Sequence, residues 1–279
     1  MKQHEKKFIM SQRPLWKLAS LTYHEVSEND YEVAVIPFGA TEPHNLHLPY
    51  ATDTLESEVI GDAVCQRAHE LGGKVILLPT IPYGTETNQQ RCKLSMNLNP
   101  STVNQIITDL VESLVNHGIK KIVILNSHGG NEFKPHLREL QGQTDAHIFL
   151  CDWFRMIGDV YSDIFEHPED HAGEMETSIM LATFSELVER NVDGGLRADD
   201  GQTRPLRFEA LNKKWVSISR RWDLLTTNTG SGNPHNATEE KGRKVLDIIT
   251  GRLAIFLKEL SDAKIDEHFP FEPPDAEID

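Results

Sequence analysis

Thiols are few and scattered in this chain. Cys65, Cys92 and Cys151 are the three cysteines of 279 residues and form no CxxC pair, which argues against a disulfide framework and against a thiolate zinc centre, and for a reducing compartment. Long hydrophobic runs are also missing. Val75–Leu78 and Ile122–Leu125 have the length of strands, far below the roughly 20 residues that span a bilayer. The opening MKQHEKKFIMSQ is charged and no signal-like apolar stretch follows it, so a cytoplasmic protein is expected, with no membrane partner. Basic residues are in the minority, 28 against 43 acidic, for a net charge of -15. A field of that sign repels phosphate backbones, which disfavours nucleic acid as a partner, and suits cations. No internal repeat or low-complexity block is visible.

What is present is a globular composition, 38% hydrophobic and 25% charged, enough for a core. Short β-rich runs alternate with helical patterns. Val33–Ile36 reads as a strand ending at Pro37. A helix follows from Leu55, with Val59, Ile60, Ala63, Val64, Ala68 and Leu71 as its apolar face and Gly72-Gly73 as its stop. Val75–Leu78 is a second strand. A helix opened by Asn99-Pro100 runs to Gly118, Ile122–Leu125 is a third strand, Glu132–Leu140 a short helix and Ile148–Leu150 a fourth strand. Helices are expected at Glu176–Val188 and Ala237–Leu260. Strand–helix–strand at this spacing predicts right-handed crossovers and a mainly parallel sheet covered on both faces. Residues 1–262 are expected to form one domain. Within it, 190–235 is a polar elaboration with a possible strand at Trp215–Ser219, and 263–279 is an acidic, proline-containing tail.

Three segments carry residues suited to chemistry. Directly after the first strand, Glu42, His44, His47 and Asp53 fall within one short stretch. Carboxylate and imidazole without thiolate suit Zn, Mn or Fe with open positions for water. A polar surface loop explains any one of these residues but not all four together. After the third strand comes Asn126-Ser-His128-Gly129-Gly130-Asn131. A glycine turn cradling a phosphate is the competing reading, and it predicts a phosphate- or nucleotide-binding module without metal. The spacing is neither GxxxxGK[ST] nor GxGxxG, and His128 falls at the carboxyl edge of the sheet, where ligands of open α/β sheets bind. The third segment, Asp170-His171-Ala-Gly-Glu174-Met-Glu176-Thr-Ser178, opens a helix. A helix start complementing the macrodipole accounts for Asp170 and Glu174, but not for the histidine or for Glu176. Pro82–Asn88, after the second strand, is a weaker candidate for lining a pocket.

These three motifs, in this order, resemble the creatininase (creatinine amidohydrolase) family, which carries ExHGxHLPxxTD-like, N[GS]HGGN and HAGxxETS segments. Gly230–Pro234, followed by Ala237–Gly242, is similar to the family's glycine-proline loop before its last helix. The resemblance covers about Leu15 to Leu260. It implies a three-layer α/β/α sandwich, two divalent metal ions (Zn first, Mn or Fe next) and hydrolysis of a small cyclic or linear amide by a two-metal-activated hydroxide. By resemblance, Glu42, Asp53 and His128 hold one ion. His44 and the bridging Asp53 hold the other with a second carboxylate. In creatininases proper that carboxylate lies two residues after the third-strand histidine, where this chain has Gly130, so Glu176 is the substitute, as in NGHGGN-type members. His171 resembles the family's proton-transfer histidine, and Glu174 is the second catalytic candidate. His47, Tyr83, Arg91 and Gly129 are expected around the substrate. A homo-oligomer, possibly a hexamer, is implied by the resemblance alone, and a regulatory oligomer without turnover is the third reading.

The chain departs from the family pattern at Pro43, where a glutamine is common, and at Asn45-Leu46, where Gly-Pro is common. Asn88–Asn97 lacks the usual His and Gly-Thr pair, and the aromatic residues that enclose creatinine in creatininases proper have no clear counterpart near Gly129 or Pro168. Creatinine is therefore expected to be a poor substrate.

Overall fold

The computed structural model describes residues 13–272. A single turn, α1 (Tyr23–Ser27), precedes β1 (Val33–Phe38). Then follow α2 (Thr52–Glu70), β2 (Val75–Leu77), α3 (Pro100–Asn116), β3 (Lys121–Asn126), α4 (Lys134–Leu140) and β4 (His147–Asp152). The one-turn α5 (Tyr161–Ile164) leads to α6 (Glu174–Thr183). The one-turn α7 (Glu209–Asn212) and α8 (Trp222–Leu225) precede the long α9 (Glu239–Asp262).

All four strands are parallel, in the order β2-β1-β3-β4. Side-chain alternation sorts their apolar residues to two faces. Val33, Val35, Val75, Leu77, Val123 and Leu125 pack with Ile60, Val64, Ile179, Ile249 and Leu253 of α2, α6 and α9. Ala34, Ile36, Ile76, Ile122 and Ile124 pack with Val103, Ile107 and Val111 of α3 and with Leu140 of α4. Strands buried on both sides read as continuous apolar runs, and the result is the expected three-layer α/β/α arrangement. Among the described residues no helix is long and apolar enough to cross a membrane.

Element boundaries differ from the sequence expectation in instructive ways. β1 runs through Pro37 to Phe38 although it is a central strand. Pro37 pairs with Leu125 of β3, while β2 reaches only as far as Val35. The missing N–H therefore falls where β2 has already ended, and the Pro37 carbonyl accepts from Ile81 N at 3.0 Å. α2 begins at Thr52, not Leu55, so Asp53 sits in a helical first turn rather than in a loop. α6 ends at Thr183, and Ser185–Leu187 is a separate 3₁₀ turn. Trp215–Ser219 is not a strand. It joins no strand among the described residues, and Trp215, Val216 and Ile218 are exposed. Of the C-terminal tail, 273–279 lies outside the described residues.

Connection order sets the place of any site. β2 lies on one side of β1 and β3 on the other, with α2 on one face and α3 on the opposite one. The crossovers diverge there and leave a crevice at the carboxyl ends of β1 and β3. The loops bearing Glu42 and His128 both leave the sheet at that crevice.

Candidate metal centre

Close packing of β1 against α2 builds the floor of the crevice. A Cβ on Gly39 would stand 2.5 Å from Thr54 Cα, so only glycine lets the strand exit press on the first turn of α2. Thr54 Oγ1 donates to Ala40 O at 3.0 Å and Ser57 Oγ to Phe38 O at 2.9 Å, satisfying carbonyls that leave the sheet. Asp53 is thereby fixed beneath the Glu42–Tyr50 loop. That loop closes on itself through Glu42 N to Tyr50 O at 3.1 Å and Leu48 N to His44 O at 3.3 Å. Asn45 turns it at φ 54° with its Oδ1 accepting from Leu46 N at 2.8 Å.

Three imidazoles meet these carboxylates, and each has one nitrogen held by a fixed acceptor. His44 Nδ1 donates to Glu42 O at 3.0 Å, and Nε2 lies 2.9 Å from Asp53 Oδ1. His128 Nε2 is held by Thr85 O at 3.2 Å and Glu86 Oε1 at 2.7 Å, and Nδ1 lies 2.9 Å from Glu42 Oε1 and 3.0 Å from Asp53 Oδ2. His171 Nε2 donates to Pro43 O at 2.9 Å, and Nδ1 stands 3.7 Å from Glu42 Oε1. A carbonyl can only accept, so the N–H lies on that side and the remaining nitrogen faces the acids. Glu176 Oε2 accepts from Ala172 N at 2.5 Å, with Ala172 in the left-handed region at φ 52°. Glu169 caps α6 by accepting from Met175 N at 2.7 Å, so the helix start that aims Glu176 is itself anchored.

The potential ligand atoms of Glu42, Asp53 and His128 lie within 4.8 Å of one another, as do those of His44, Asp53 and Glu176, and those of Glu42, His44 and His171. Asp53 belongs to the first two groups. Its Oδ2 is buried and takes no well-directed hydrogen bond, an acceptor turned toward a position that a cation fits. The electrostatics agree. Burial alone would raise Asp53, but the charges and hydrogen bonds of His44 and His128 hold it far below the usual carboxylate range. Burial opposes a charge on His44, yet Asp53, Glu176 and Glu42 bring it to about 10. Burial pushes Glu42 well up, and burial with the Asp53 charge takes Glu176 to about 7. Without a cation Asp53 keeps its charge through protons on His44 and His128, while Glu42 and Glu176 are driven toward the neutral form. Oxygen and nitrogen donors with no thiolate fit one or two divalent ions of the Zn or Mn kind. His171 goes the other way, down to about 3, through burial and the nearby His44 charge.

The remaining sequence candidates divide. Gly129 lines the cleft above the centre. His47 is buried behind His44, its Nε2 2.8 Å from Thr177 Oγ1, and burial with the His44 charge lowers it to about 4. Its ring holds the loop on α6 and does not reach the cleft. Glu174 does not face the crevice either. Its carboxylate pairs with Lys241 and accepts from Glu166 N at 2.9 Å, an α6–α9 tie. Tyr83 and Arg91 are exposed on the loop after β2 and are not among the cleft-lining residues. His171, the proton-transfer candidate, is 6% exposed and its ring lies against that of His44, tilted by 39° with centroids 4.2 Å apart.

Sequence reading missed several neighbours. Glu86 and Gln89 are buried beside His128 and Glu42, and the Gln89 amide donates to Glu42 Oε2. Glu56, one turn along from Asp53, is buried with no hydrogen-bond partner on either oxygen among the described residues. Trp222 sets its ring edge-on to His171 at 5.8 Å, and Arg220 covers Trp222 at 5.1 Å. Glu86 lay in Pro82–Asn88, a candidate pocket lining, and Gln89 in Asn88–Asn97, noted there only as a departure from the family pattern. Nothing in their spacing separates Gln89, Glu56 or Trp222 from ordinary loop and helix residues.

Comparison with known proteins identifies the family of this chain. The family described as Creatininase, creatinine amidohydrolase, matches residues 19–257. A candidate creatinine amidohydrolase of Bacteroides fragilis NCTC 9343, solved by crystallography, is 34% identical with a TM-score of 0.81, covering 90% of this chain and 98% of that one. The creatinine amidohydrolase of Pseudomonas putida is 27% identical over 177 residues, 56% of this chain and 66% of that protein. The mycofactocin precursor peptide peptidase of Mycobacterium ulcerans is 27% identical over 223 residues, 76% of this chain and 78% of that protein. A creatininase solved with Mn shares the fold at a TM-score of 0.66 and 21% identity, covering 89% of this chain and 99% of that one. The chain belongs to the creatininase family.

Proposed function

We propose that the protein is a metal-dependent amidohydrolase that cleaves a C–N bond at the crevice above β1 and β3. The observation that carries this reading is the pair of donor groups sharing Asp53, Glu42–Asp53–His128 and His44–Asp53–Glu176, at the base of an open cleft. Two divalent ions held there would supply Lewis acidity, polarising a carbonyl and lowering the pKa of water from 15.7 toward about 7. The chain's own residues do the rest. His171, neutral and held at Nε2 by Pro43 O, offers Nδ1 to take a proton from the attacking water and return it to the leaving nitrogen. Trp222 packs against the His171 ring and shields one side of it from solvent. The neighbouring Gly129 keeps the cleft open above His128.

The substrate is an amide, and two sizes are distinguished by one observation. The cleft holds about 680 Å³ and runs from the centre to Ile218 and Arg220, several times the bulk of a small cyclic amide. This volume favours a peptide-like amide over a small ring, and one relative bears the name of a peptide peptidase. Exposed Trp215, Val216 and Ile218 support a homo-oligomer that covers this face. Turnover of creatinine, other cyclic amides, formamides and short peptides by metal-reconstituted protein tests the reading. Metal-dependent release of amine from one of these classes is expected. No turnover with any class, by protein carrying its metal, would favour a regulatory oligomer.

A further inference from the structure

The loop after β2 brings a carboxylate to the centre that neither ligand group contains. Glu86 is fully buried, its Oε1 stands 2.7 Å from His128 Nε2 without a well-directed hydrogen bond, and neither of its oxygens has a hydrogen-bond partner among the described residues. An isolated buried carboxylate is costly, so its placement against an imidazole asks for an account. The loop is built to hold it there. Glu86 N donates to Asn97 Oδ1 at 2.8 Å, and Gln89 N to Glu86 O at 3.0 Å. Thr85 N donates to Asn131 Oδ1 at 3.0 Å, and Asn131 Nδ2 to Asn126 Oδ1 at 3.1 Å. The loop after β2 is thus stitched to the loop carrying His128. Gly130 permits the contact: a Cβ there would stand 2.6 Å from Thr85 O and overlap the His128 ring edge. Any side chain at 130 would push the Glu86 loop and the imidazole apart.

We infer that Glu86 is a positioning residue for the metal centre. Beside the Thr85 carbonyl, which accepts from Nε2 at 3.2 Å, its charge favours the Nε2-protonated ring with Nδ1 turned to Glu42 and Asp53, and strengthens that nitrogen as a donor to a divalent cation. Gln89 acts in the same sense on Glu42. Its amide N–H takes Oε2, leaving Oε1 on the His128 side. The inference rests on the proposed metal-dependent function, but it concerns how tightly a cation is held rather than what is hydrolysed.

The test measures zinc affinity of metal-free full-length protein by competition with a chromophoric chelator, with circular dichroism and Tm recorded beside it. Wild type, E86Q, E86D and E132Q are compared. Glu132 is an exposed cleft carboxylate that touches no proposed ligand, so E132Q removes an equal charge without touching His128. E86Q is expected to bind zinc about 10- to 100-fold more weakly with its fold intact. E86D, which keeps the charge but withdraws it by one methylene, should fall between the two. E132Q should stay within about twofold of wild type, as a screened surface charge does. Unchanged affinity in E86Q overturns the inference, as does an equal loss in E132Q. If E86Q loses its fold, E86D decides: a loss of about threefold or more supports positioning, and wild-type affinity overturns it. A wild type that binds no zinc or manganese would instead overturn the functional reading itself.

Discussion

His44 and Asp53 face each other across a buried contact, Nε2 to Oδ1 at 2.9 Å, with both side chains shut off from solvent. Nine residues separate them in sequence, yet one lies on the loop leaving β1 and the other in the first turn of α2. The same Asp53 approaches His128 with its second oxygen at 3.0 Å. One carboxylate thus joins two imidazoles from two strand ends, and the candidate centre is organised around it.

His171 is the residue most open to a kinetic test. Its Nδ1 faces Glu42 at 3.7 Å while Nε2 is occupied by Pro43 O. Replacing it by alanine should keep the fold and the metal content and lower kcat by roughly 10²–10⁴, the usual worth of general acid–base catalysis. KM should change little, since the loss lies in the transition state. Loss of metal in His171→Ala would make it a ligand, in line with its grouping with Glu42 and His44. An unchanged rate would make it a bystander.

Glu174 offers a contrast two residues from the Ala172 turn. It is fully buried and pairs with Lys241 of α9, whose side chain is 22% exposed. Breaking a buried pair leaves an uncompensated charge, here partly relieved by solvent at Lys241. Glu174→Ala should therefore cost about 2 kcal/mol or more, read as a lower Tm. Metal content should match wild type. A variant that loses metal at unchanged Tm would place Glu174 in the centre rather than in the α6–α9 contact.

Glu56 sets a pH dependence. Burial, with Glu176 and Asp53 nearby, raises its carboxyl well above the ordinary range, so the folded state holds a proton that the unfolded chain releases. Stability from this group is therefore lost as pH rises from the ordinary carboxylate range toward the folded value. In metal-free protein, denaturant unfolding between pH 5 and pH 8 should show stability declining with pH, and Glu56→Gln should flatten that decline. Equal slopes in the two proteins would mean that Glu56 is ionised in the fold.

Sequence made the fold legible where burial is two-sided. Ile122–Leu125 and Val75–Leu77 are apolar runs because helices cover both faces, and the glycine stops after α2 and α3 are local chain chemistry. It was less clear at ends set by tertiary contact. Thr52–Thr54 carry no apolar periodicity because they pack against Gly39 and the strand exit, so the start of α2 fell three residues late. Glu42, His44, Asp53, His128, His171 and Glu176 stand in recognisable ordered motifs. Glu86 and Gln89 do not, because their role depends on a loop folded back by Asn97 and Asn131. Trp215 and Val216 read as strand by composition, but no partner strand lies beside them.

Metal content of the purified chain, by elemental analysis after reconstitution with zinc or manganese and removal of loosely bound ions, tests the central claim most directly. Glu42, Asp53 and His128 account for one ion, and His44, Asp53 and Glu176 for the other. Wild type should therefore retain up to two ions per chain, Glu176→Gln one, and Asp53→Ala none, with amide turnover lost in step. A wild-type chain that retains no ion and still hydrolyses an amide at full rate, or an Asp53→Ala variant that keeps both ions, would contradict the account.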